Sequence, residues 1–99
     1  MEENAHSHNS ESTFVYFYFN RNAPEKIRQV VNAHVDYWKT ANLKDYSGGP
    51  FSDRTGGLIS FKASSLEEAA EIILKDPFNL EDLIEQKWIK EWLPNPHER

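Results

Sequence analysis

Residues 13–19 read TFVYFYF, a run in which every position is β-branched or aromatic. Such a run favours a β-strand, in which successive side chains point to opposite faces. Here both sets are apolar: Phe14, Tyr16 and Tyr18 on one face, Val15, Phe17 and Phe19 on the other. The strand therefore needs cover twice. One face meets the domain's own helices; the other would meet water in a short antiparallel sheet, so its apolar character calls for a second cover. A second copy of the chain is the economical one. With 99 residues and a hydrophobic share of 38%, the chain is one domain with a modest core of its own, and pairing buries area that it cannot bury alone.

The rest of the chain supplies the other layers. Pro24 followed by Glu25 suits a helix start, and Ile27, Val30, Val31, His34, Val35 and Trp38 recur at helical spacing on one face. Residues 42–53, NLKDYSGGPFSD, are rich in turn formers, and the Gly-Gly-Pro within them admits only an irregular or edge strand, expected over 46–51. Asp53 to Gly56 reads as a turn, with Asp53-Arg54 more readily a turn pair than a substrate clamp. A strand over 57–63 completes a hairpin. Ser65 and Glu68 form a capping-box pattern, and a helix to about Lys75 would turn Leu66, Ala69, Ala70, Ile73 and Leu74 inward. A short helical turn is expected within 79–84. Residues 86–92 give the last strand, with Trp88 and Trp92 on the same side.

This order is β-α-β-β-α-β, the ferredoxin-like α+β arrangement: a four-stranded antiparallel sheet with two helices on one face. The domain is expected over residues 13–93, with a disordered polar tail at 1–12, where His6 and His8 lie, and a proline-punctuated tail at 94–99. The open face of the sheet is where a homodimer would form.

Composition removes several functions. A formal charge of −5 without a basic stripe speaks against nucleic acid as a partner. The absence of cysteine excludes a disulfide framework, thiolate catalysis and Cys-based zinc sites. Neither a secretory signal nor a membrane-length apolar run is present, so a cytoplasmic location and no membrane partner are expected. No nucleophile motif, phosphate-binding glycine loop or metal-ligand spacing appears, and no cofactor is expected.

Two residues on the ordered elements carry possible chemistry. His34 lies on the apolar side of its helix, where surroundings govern its protonation, although a hydrogen-bonded core histidine fits the same position. Asp76 precedes Pro77, as a capping carboxylate does; capping and chemistry can share one carboxylate. Whether the fold brings the two together depends on helix packing.

The series His34-Val35-Asp36-Tyr37-Trp38, Gly49-Pro50-Phe51, the strand at 57–63, Ser65-Leu66-Glu67-Glu68-Ala69 and Asp76-Pro77-Phe78 resembles the YciI-like (YCII-related) domains. These are dimeric α/β-barrel proteins of ferredoxin-like fold. A glycine usual in them shortly after the first helix is replaced within Asn42-Leu43-Lys44. The resemblance implies His34 and Asp76 as a catalytic pair, with His34 the base and Asp76 its orienter. It also implies proton transfer or HX elimination on a small cyclic, oxygenated substrate without a cofactor, since relatives include muconolactone isomerases and a dehydrochlorinase. Tyr16, Tyr18, Ser47, Gly49, Pro50, Phe51 and Phe78 are the expected substrate-binding residues, with Tyr46 beside them. Two other readings stay open: a non-catalytic small-molecule-binding module, and haem binding through His34.

Overall fold

The computed structural model describes residues 11–94. Its elements are β1 (Ser12–Asn20), α1 (Pro24–Thr40), β2 (Ser47–Pro50), β3 (Gly56–Ala63), α2 (Leu66–Leu74), α3 (Pro77–Leu80) and β4 (Ile84–Trp92). The sheet is ordered β2-β3-β1-β4, and every neighbouring pair is antiparallel. This is the expected ferredoxin-like α+β fold. The strand of two apolar faces, β1, occupies an interior position between β3 and β4. The expected tails, with His6, His8 and His97, fall outside the described residues except at Glu11, Ser12 and Pro94. Ser12 pairs with Ala63, so the first strand starts one residue before the expected Thr13.

The two faces of β1 separate as the alternation demands. Phe14, Tyr16 and Tyr18 are buried beneath the helices with Ile59, Phe61 and Ala63 of β3. Val15, Phe17 and Phe19 lie half-buried on the other face. There Phe17 opposes Trp88, their rings stacked with centroids 5.2 Å apart, while Leu58, Trp88 and Trp92 remain 40%, 40% and 50% exposed. Trp88 and Trp92 do share a side.

Several local expectations need correcting. On α1 the buried residues are His34 and Trp38, whereas Val35 is exposed on the flank of the helix. On α2 only Ala69 and Ile73, one turn apart, are buried; Leu66 and Leu74 are exposed, because a nine-residue helix offers the sheet a narrower stripe than the pattern suggested. The Ser65 hydroxyl accepts from Glu68 N–H at 3.0 Å, but the Glu68 carboxylate reaches the N–H and hydroxyl of Ser64 rather than the amide of Ser65. The short helix expected within 79–84 instead spans Pro77–Leu80, since Asp76 caps it and Pro77 supplies its first position. After α1, Asn42 adopts a left-handed φ of 59°, the conformation a glycine would take at least cost.

Candidate active site

The capping of α3 sets the centre of the site. The Asp76 side chain accepts the Phe78 backbone N–H at 2.8 Å, as an N-cap carboxylate should. Trp38, one turn beyond His34 on α1, donates its indole Nε1–H to the other Asp76 oxygen at 2.9 Å. His34 Nδ1 lies 2.8 and 3.0 Å from the two oxygens of the same carboxylate. Asp76 is fully buried and His34 is 8% exposed. A buried carboxylate without partners would be costly, and here three N–H groups from two helices satisfy it.

The geometry fixes the imidazole. A carboxylate only accepts, so the proton of the neutral ring resides on Nδ1 and the lone pair on Nε2. Phe78 stacks on the ring, with centroids 3.9 Å apart and planes 8° from parallel. Nε2 is 3.4 Å from the Tyr18 hydroxyl, a long hydrogen bond. Burial, reinforced by the negative charge of Asp76, holds the Tyr18 phenol well above its ordinary pKa, so it stays a donor at neutral pH. Gly57 leaves room for that hydroxyl: a Cβ there would come within 2.6 Å of it.

His34 opens on a cleft of about 570 Å³ between α1 and the β2-β3 hairpin. Tyr18, Ile59, Trp38 and Phe78 contribute apolar surface, and Tyr46 stands near Trp38, their rings parallel to within 5°. Of the expected substrate-binding residues, Tyr18, Gly49, Pro50 and Phe78 line this cleft. Tyr16, Ser47 and Phe51 do not. Tyr16 is packed in the core, its hydroxyl accepting from Asn79 at 3.0 Å; Ser47 pairs with Ser60 on the open face; Phe51 sits against Phe19 there, with centroids 5.7 Å apart. Strand proximity placed them near the site, but alternation points Ser47 to the other face. Sequence reasoning missed Arg28, Lys39 and Asn20, which also line the cleft, and treated Arg54 as a turn residue; it is both, with a φ of 66° at the hairpin tip and a place in the lining of the cleft. The helical spacing of Arg28, Val35 and Lys39 was the signal for the first two. Among the described residues, no group of three or more His, Asp and Glu is placed to hold a metal, and no helix is long and apolar enough to cross a membrane.

An antiparallel sheet ordered β2-β3-β1-β4, with a buried His-Asp pair between its helices, defines a ferredoxin-like α+β domain with an enclosed polar centre. Residues 12–93 match the YCII-related domain, and the chain belongs to that family. A 44-residue stretch is 54% identical to YjpA of Bacillus subtilis (strain 168), a protein described as uncharacterized; the match covers 44% of this chain and about half, 51%, of that relative's length. Among solved structures, the chain is similar to 5-chloro-2-hydroxyhydroquinone dehydrochlorinase (TftG) from Burkholderia phenoliruptrix AC1100, in complex with 2,5-dihydroxybenzoquinone. That likeness has a TM-score of 0.75 and 21% identity, and covers 86% of this chain and 97% of that one. It is also similar to Rv0793 from Mycobacterium tuberculosis, with a TM-score of 0.51 and 13% identity over 88% and 99% of the two chains. SnoaB, a cofactor-independent oxygenase from Streptomyces nogalater, gives 0.50 and 12% over 88% and 97%. At these identities the likeness speaks for the fold.

Proposed function

We propose that this protein is a cofactor-independent enzyme that moves a proton on a small cyclic, oxygenated molecule, as an isomerase or an HX-eliminating lyase. The observation that carries the reading is the buried Asp76-His34 hydrogen bond, which leaves Nε2 as the basic atom beside the cleft. His34 takes the substrate proton on Nε2 as general base and Asp76 holds the ring in that tautomer, while the Tyr18 hydroxyl turns its proton from Nε2 to the substrate oxygen on which charge develops. In elimination the C–H or O–H electron pair forms the new π bond and halide leaves with its own pair. In isomerisation His34 returns the proton to another carbon. The dehydrochlorinase among the structural neighbours supports this class of chemistry.

Chloride release from 5-chloro-2-hydroxyhydroquinone, followed with an ion-selective electrode, is the first assay. Turnover by the native chain, lost in both His34→Ala and His34→Gln, is the expected result. Turnover surviving in both variants removes the base from the scheme. Native mass spectrometry showing a co-purified ligand released unchanged, with no turnover, favours a binding module.

The domain is further proposed to act as a homodimer through the open sheet face. Phe17, Trp88, Trp92 and Leu58 support this, because a lone domain would leave them partly wet.

A further inference from the structure

The cleft is cationic in an acidic chain. The protein holds 16 Asp and Glu against 11 Lys and Arg, yet the lining of the cleft includes Arg28, Lys39 and Arg54 and no acidic side chain. Asp76 stands behind His34 and is already taken up by three N–H donors. A cleft lined with one sign of charge over apolar walls concentrates the opposite charge.

The three cations differ in availability. Arg28 is engaged by Glu25 at 2.9 Å. Lys39, five residues beyond His34 on α1, offers a compact ammonium rather than a planar fork. Arg54 has no acidic partner within salt-bridge distance among the described residues, although Asp53 precedes it: the Asp53 carboxylate is held by the N–H and hydroxyl of Thr55, at 3.1 and 2.7 Å. The same turn holds Arg54 itself, whose N–H donates to the Phe51 carbonyl at 2.9 Å in a left-handed conformation that non-glycine residues seldom adopt. This end of the cleft thus offers a forked cation.

We infer that the cleft takes a cyclic acid, anionic at neutral pH, whose carboxylate or acidic oxygen is held by Arg54 while the ring lies against Phe78 and Ile59 toward His34. The inference rests on the reading of the cleft as a substrate site and adds the class of substrate. A planar guanidinium suits bidentate pairing with a carboxylate, which a lysine cannot reproduce. Arg54 is a binding residue in this scheme and takes no proton.

The test is a binding measurement that needs no turnover. Titration calorimetry with 2,5-dihydroxybenzoate and with its neutral methyl ester compares one ring with and without the charge. The native chain is expected to bind the acid about tenfold more tightly than the ester, a preference that shrinks as salt is raised. Arg54→Gln is expected to abolish the preference by weakening the acid alone, and Arg54→Lys to keep part of it. Equal affinity of acid and ester in the native chain, no binding of either, or a preference unchanged in Arg54→Gln overturns the inference. Since binding is read apart from chemistry, losing the His34 scheme leaves this result standing, and losing the preference leaves the base intact.

Discussion

Asp76 offers both carboxylate oxygens to Nδ1 of His34, at 2.8 and 3.0 Å, across 42 residues of sequence. The same oxygens hold Phe78 N–H and the Trp38 indole. An amide has one accepting oxygen and a donating NH2 group, so Asp76→Asn must set a donor against a donor. The expected cost is about 2–4 kcal/mol, read from urea unfolding. Nitrogen NMR of His34 should show Nδ1 protonated in the native chain and a mixture of tautomers in the variant. A change in stability below about 0.5 kcal/mol with the tautomer kept would contradict the arrangement.

Alkaline pH should unfold the protein through its core phenols. Burial raises the pKa of Tyr16 and Tyr18 above the ordinary 10.0, so the folded chain keeps protons that the unfolded chain releases. Their contribution is fully present below about pH 10 and is lost as pH rises above it, by up to about 1.4 kcal/mol per pH unit for each residue. The melting temperature should fall accordingly, with the two phenols ionising only as the chain unfolds. If ultraviolet titration shows all four tyrosines ionising together near pH 10 in the folded protein, the linkage is absent.

Gly57→Ala probes the seat of the Tyr18 hydroxyl. The added carbon would lie 2.6 Å from that oxygen and 2.8 Å from the Gly49 carbonyl oxygen, closer than such contacts occur, so one neighbour must move. A loss of about 1–3 kcal/mol is expected, with displaced ring resonances of His34. Unchanged stability and unchanged His34 signals would show that the hydroxyl has slack.

Sedimentation should find a dimer at micromolar concentration and a monomer for Trp88→Glu. The substitution puts a charge where Phe17 and Trp88 stack on the open face. A monomeric native chain would refute the pairing.

Element order was legible because it rests on local signals: two periodicities, a Pro-started helix, a serine cap. The fold follows from them. The two faces of β1 were legible for the same reason. His34 and Asp76 could be nominated from their positions and the family pattern, but their contact depends on how α1 packs beside α3, which no local pattern encodes. The place of Arg54 in the cleft was hidden by its own turn chemistry: a residue that shapes the hairpin tip also lines the cleft, and a sequence shows only the first role. Leu66 and Leu74 misled in the opposite way, since apolar periodicity marks a candidate face without saying how much of it the sheet can cover.

One carboxylate both starts α3 and steers the imidazole. Substitutions at Asp76 are thus filtered twice, by the helix cap and by the orientation of the imidazole, and few can pass. The outer flank of α1 carries no such double duty. A laboratory evolution experiment seeking new ligands would therefore find its tolerated changes around Val35 and Lys39, while the centre of the site stays fixed.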